Sequence, residues 1–132
     1  MAKRINAIKA LMPQIELSQT VQVDELAKYI SRGTNLNPSE IKFVLDELSN
    51  ALLFFTSSGQ PVKLDGLGTF TPGVRLSGEF TINVRIDRDL IKGLNKPEAF
   101  KGRIRNRSSI GKSGDDLVTE WNRIHPDDPV LD

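Results

Sequence analysis

Asn37-Pro38-Ser39-Glu40 opens the segment that most restricts what this chain can become. Asn is a strong N-cap, Pro38 suits the first helical position because no amide bond is lost there, and Glu40 stands at the capping-box position. The predicted helix carries Ile41, Val44, Leu45, Leu48, Leu52 and Phe55 on one stripe. Phe43, Ala51, Leu53 and Phe54 widen that stripe well beyond one face. At 1.5 Å per residue such a helix spans roughly 25–30 Å. A helix that apolar must be covered on more than one side. A small domain achieves this by wrapping the helix or by pairing it with a second chain.

The flanking sequence predicts an α+β unit. Val23, Leu26, Ala27 and Ile30 recur at helical spacing, Asp24 and Glu25 suit the positive end of that helix, and Gly33 ends it. Before it, Ile5, Ile8 and Met12 hint at a helix, whereas Ile15 and Leu17 alternate as a short strand would. After the long helix, Val62-Lys63-Leu64-Asp65 alternates as a strand. Gly66 and Gly68 then suggest a bulge or a close backbone approach. Thr71-Pro72-Gly73 is expected to interrupt the run, and Leu76-Ser77-Gly78-Glu79 to reverse it. Phe80, Ile82, Val84 and Ile86 alternate with polar residues as a half-buried strand. Leu90, Ile91 and Leu94 predict a short helix. Residues 96–114, basic and rich in Gly, Asn and Ser, are expected to be an extended or loosely ordered linker. Ser113-Gly114-Asp115-Asp116 is a second capping box, leading into a short amphipathic helix with Leu117, Val118, Trp121 and Ile124.

Charge divides the chain. The net charge of the 132 residues is +1. Residues 1–15 carry +3, residues 16–84 carry −3, residues 85–112 carry +6 and residues 113–132 carry −5. Such polarity predicts an anionic partner on the basic segment, or the acidic end folding back on it. No apolar run reaches the roughly 18 residues of a membrane span. The basic start has no continuous apolar region of a secretory leader, so a cytoplasmic protein is the expectation. Absence of cysteine and a single histidine, His125, exclude thiol chemistry, a Cys-type zinc site and an ordinary Ser-His-Asp triad.

The order of helix, cap, long helix, strand, Gly-x-Gly-Thr-Phe, turn, strand and short helix resembles the HU/integration-host-factor family of bacterial DNA-binding proteins. Val62-Lys63-Leu64-Asp65-Gly66-Leu67-Gly68-Thr69-Phe70 carries the likeness, with Asn37-Pro38-Ser39-Glu40 where that family begins its dimer-forming helix. Val21 to Arg32 and the ending Trp121 to Val130 are similar to the HU-like domains common in Bacteroidetes. The resemblance implies a homodimer with intertwined helices beneath a β-saddle that cradles duplex DNA. In that family two long β-arms, each with a wedge proline, wrap the minor groove and bend the DNA. Here only Leu76-Ser77-Gly78-Glu79 stand between Arg75 and Phe80, so truncated arms without a wedge proline are expected. The expected division is an N-terminal segment at 1–19 with a possible strand, an HU-like domain at 20–95, and a basic linker, short helix and acidic tail at 96–132.

Candidate DNA-binding residues follow. The resemblance implies that Arg75, at the arm base, and Arg88 and Lys92, near the short helix, touch phosphates. Arg85 alternates outward from a strand whose other face is apolar. Lys101, Arg103, Arg105 and Arg107 alternate, and in a strand all four would point one way as a phosphate track. Each has a blander reading as a solvated charge, and the track as a flexible linker paired with the acidic tail. Phosphate contacts position a protein without reading bases, so nucleoid-associated binding of low specificity is expected. The alternative is a protein-interaction or structural module on the same fold that has lost DNA bending. An enzyme is not expected, and neither a cofactor nor a metal is called for. Gly111-Lys112-Ser113 lacks the upstream glycine of a P-loop, since Asn106 stands there, and Gly66-Leu67-Gly68 lacks the third glycine of a dinucleotide fingerprint. Asp127 and Asp128 read as a solvated acidic end, His125 as surface, and Trp121 as a docking residue.

Overall fold

The computed structural model describes residues 1–131. The chain forms two compact units, one of Gln19–Phe100 and one of Met1–Ser18 with the chain from Lys101 onward.

The first unit contains α2 (Val23–Arg32), α3 (Pro38–Ser57), β2 (Val62–Leu64), β3 (Gly68–Val74), β4 (Phe80–Ile86) and α4 (Arg88–Leu94). The second contains α1 (Arg4–Leu11), β1 (Gln14–Glu16), β5 (Arg103–Arg105), a 3-10 turn (Arg107–Ser109) and α5 (Gly114–Ile124).

In the first unit the Asn37 side chain accepts from the Glu40 N–H at 2.9 Å, as an N-cap does. The reciprocal bond takes a different route from the one expected. Glu40 Oε1 accepts from Asn37 Nδ2 at 2.8 Å, so the two side chains join each other. Helix α2 lies on α3, burying Ala27 and Ile41, and Lys42 Nζ reaches Asp24 Oδ1 at 2.9 Å between them. Strands β2, β3 and β4 form an antiparallel sheet in that order. Strand β3 runs unbroken through Thr71-Pro72-Gly73, where an interruption is expected from sequence. The reason is positional: β2 pairs only with Gly68–Phe70, so Pro72 has a ladder neighbour, Ile82, on one side alone. The connection is short. Arg75 N–H donates to Glu79 O at 2.9 Å, Gly78 N–H donates to Arg75 O at 2.9 Å, and Gly78 takes the positive φ of 90° that closes the turn.

Much of this unit's apolar surface is uncovered within one chain. Of the long helix, only Ile41 and Thr56 are buried. Phe54 is 69% exposed, Phe43 66% and Leu53 64%. On β4 the alternating Phe80, Ile82, Val84 and Ile86 are exposed as well, where a half-buried strand is expected. One chain does not supply the second layer that such a helix and sheet need.

The second unit corrects the reading of both chain ends. The helical hint and the strand hint near the start are both realised, as α1 and then β1, because Pro13 separates them. Residues 96–114 are not a loose linker throughout. Strand β5 pairs antiparallel with β1, with Ile15 opposite Ile104. Two isoleucines matched across a ladder draw the basic segment into a sheet that local composition gives no sign of. Helix α1 packs on α5, burying Ala7 and Leu117, and Arg4 Nη2 meets Asp115 Oδ1 at 2.6 Å. The Ser113 capping box is complete, its hydroxyl accepting from Asp116 N–H and its own N–H donating to Asp116 Oδ2, both at 3.1 Å.

His125, expected on the surface, is half-buried, its ring stacked 3.8 Å from that of Trp121 at an interplanar angle of 19°. The aromatic neighbour one helical turn away draws it in. Trp121 docks on its own chain, its Nε1 donating to Asp128 O at 2.8 Å.

Candidate nucleic-acid interface

The cations singled out in the sequence fall into two sets, one in each unit, and all eight are exposed. In the Gln19–Phe100 unit, Arg75 stands where β3 enters the turn. Its Nη1 lies 3.2 Å from Glu79 Oε2. An exposed pair of this kind contributes little to stability and exchanges readily for another anion. Arg85 lies on β4 opposite Thr69. The backbone beneath it is held by a residue that sequence marks only as a close approach. A Cβ at Gly68 would sit 2.5 Å from the Arg85 carbonyl oxygen, so only glycine lets β3 and β4 meet there. Arg88 opens α4 and Lys92 follows one turn later, on the same helix face. Asp87 fixes the start of that helix, its Oδ1 accepting from Asp89 N–H at 2.8 Å. Among the described residues, Arg85, Arg88 and Lys92 have no ion-pair partner.

In the other unit the expected row of four cations is not a single row. The strand covers Arg103 to Arg105, and Lys101 precedes it. Asn106 then takes a left-handed conformation, φ 57° and ψ 40°, and Arg107 begins the 3-10 turn. Alternation therefore holds for Arg103 and Arg105 and ends at the corner. Asn106 holds that corner: its Nδ2 donates to Ala10 O at 2.9 Å and to Met12 O at 3.1 Å, carbonyls at the end of α1. Asn tolerates the left-handed region better than other non-glycine residues. That tolerance is the one local signal that could have marked the corner.

The acids of the chain's end are engaged elsewhere. Asp115 pairs with Arg4, Glu120 with Arg123, and Asp128 with the Met1 amine, while Asp116 completes a cap. The Arg123 guanidinium holds the Glu120 carboxyl below the usual carboxylate range, mainly by hydrogen bonding. Among the described residues, none of Lys101, Arg103, Arg105 and Arg107 forms an ion pair, so the pairing of basic segment with acidic tail is not seen. What the geometry offers chemically is two sets of exposed cations.

A family model described as an HU domain fused to wHTH, Ig or a glycine-rich motif, HU-HIG, matches residues 3–95. The chain belongs to the HU-HIG family. The match begins upstream of the residues that carry the resemblance and takes in α1 and β1. The α+β class with antiparallel sheets agrees with it. HU-like domains are DNA-binding and non-enzymatic, with an architectural role in general. No curated protein matches this HU-HIG chain. Among the described residues no helix is long and apolar enough to cross a membrane.

Proposed function

We propose that this HU-HIG chain binds duplex DNA through phosphate contacts with low sequence specificity, as a nucleoid-associated homodimer. The observation that carries this is a set of exposed cations without an ion-pair partner among the described residues, Arg85, Arg88 and Lys92 in one unit and Lys101, Arg103, Arg105 and Arg107 in the other, on a family whose general role is DNA binding. Arg75 joins them by exchanging Glu79 for phosphate. Exposed guanidinium and ammonium groups neutralise phosphates, and phosphate contacts position a protein without reading sequence. The turn that joins β3 to β4, Arg75–Glu79, is five residues long and holds no proline, which favours binding without a strong kink.

The test is fluorescence anisotropy with a labelled mixed-sequence duplex, titrated from about 50 to 200 mM salt. Binding is expected to weaken steeply with salt and to differ little between sequences. Replacing Lys101, Arg103, Arg105 and Arg107 with Ala is expected to lower the salt slope by about 0.9 for each phosphate that is no longer neutralised. An unchanged slope removes these four from the interface. The same short, proline-free turn favours a second reading, a protein-interaction module that has kept the fold. Absence of binding at the low-salt end selects it.

A further inference from the structure

The segment after α5 is held on the helix by an unusually specific set of bonds. Asn122 faces Val130 with both ends of its amide: Val130 N–H donates to Oδ1 at 2.7 Å, and Nδ2 donates to Val130 O at 3.3 Å. Trp121 Nε1 donates to Asp128 O at 2.8 Å, and Asp128 N–H donates to His125 O at 3.1 Å. Val130 is 5% exposed. Asp127 and Asp128, between these fastenings, stay exposed. The segment is thus pinned mainly through its backbone, which also accepts from Ala2 N–H at Pro129 O, while the exposed Asp128 carboxylate pairs with the Met1 amine at 3.3 Å. The same unit holds Lys101, Arg103, Arg105 and Arg107, exposed and unpaired among the described residues. The charges are complementary, yet they do not meet.

We propose that Trp121 and Asn122 form a latch that parks the acidic segment Pro126–Leu131, and that its release sets Asp127 and Asp128 against DNA phosphate for the arginines of β5 and the following turn. This deepens the DNA-binding reading and rests on it. Two properties make the latch effective. Opening it exposes one valine, breaks a few hydrogen bonds, each of net worth near 1 kcal/mol, and gives up the exposed Met1–Asp128 pair, so release is within reach of thermal or partner-driven opening. Once free, the chain beyond Ile124 carries Asp127 and Asp128 up to roughly 10–14 Å from the helix end. A tether that short also keeps the effective concentration of its carboxylates in the millimolar range.

Asn122→Ala is the variant that opens the latch. Without DNA, the Arg103, Arg105 and Arg107 Nε–H resonances are expected to shift in it and to return when Asp127→Asn and Asp128→Asn are added. Duplex affinity at about 50 mM salt is expected to fall roughly 3- to 10-fold in Asn122→Ala and to recover in the triple variant. Arginine resonances that stay in place overturn the latch. Asp127→Asn with Asp128→Asn alone, which keeps the Trp121 and Asn122 fastenings and gives up only the exposed Met1–Asp128 pair, serves if Asn122→Ala fails to fold. Unchanged affinity is expected, because the parked acids do not compete, and tighter binding overturns the proposal. A parent chain that ignores duplex while the arginine shifts occur overturns the DNA-binding reading and leaves the latch standing.

Discussion

Gly68 and Asn106 each make possible an arrangement that larger or less adaptable residues would refuse. Gly68 brings β3 against the Arg85 carbonyl with no room for a Cβ. Gly68→Ala is expected to destabilise the unit by about 1–3 kcal/mol in denaturant unfolding, as overpacking does. A variant as stable as the parent would mean that β3 and β4 do not meet so closely. Sequence marks Gly68, because a glycine inside a strand pattern is anomalous. Asn106 gives little warning, since its left-handed turn has a purpose only once α1 lies beneath it to offer the Ala10 and Met12 carbonyls. A polar residue's role as a corner clamp is set by a segment some ninety positions away, and local patterning carries no trace of that.

Helices α2 and α3 are legible one by one, from the Val23–Ile30 period and the Asn37-Pro38 cap, and their partnership is settled between them by Ala27, Ile41 and the Asp24–Lys42 pair. Lys42 lowers the Asp24 carboxyl below its ordinary value, first by hydrogen bonding and then by charge, and Asp24 raises Lys42 in return. The depressed Asp24 contributes stability that is fully present above the ordinary carboxylate range and is lost as pH falls through its lowered value. Lys42 contributes stability present below the ordinary lysine range and lost as pH rises through its elevated value. The pair is exposed, so the effect is small. Thermal melts between about pH 2 and 5, the range in which carboxylates titrate, are expected to fall less steeply for Asp24→Asn than for the parent. Identical acid limbs would mean that the pair adds nothing. Strand β5 is the contrasting element. Its composition reads as linker, and it becomes a strand because Ile104 finds Ile15 across a ladder.

At the scale of the molecule, the exposed Phe43, Leu53 and Phe54 and the apolar side of β4 require a second surface. A mass of about twice 14.7 kDa is expected in sedimentation equilibrium, and Leu53→Asp is expected to shift it toward monomer or to abolish folding. A cooperatively folded parent monomer at micromolar concentration would overturn the homodimer. The need for that cover was already readable in a helix apolar on more than one side, as were the α+β class, the short hairpin turn and the division of charge. These rest on period, capping chemistry and charge, which act over a few residues and are written locally. Tertiary structure alone decided that the two chain ends pair as one unit, that only Arg103 and Arg105 of the basic run share a strand, and that the acidic end is clasped by Trp121 and Asn122. Each of those depends on contacts between segments distant in the chain, whose free energy appears only when both are brought together.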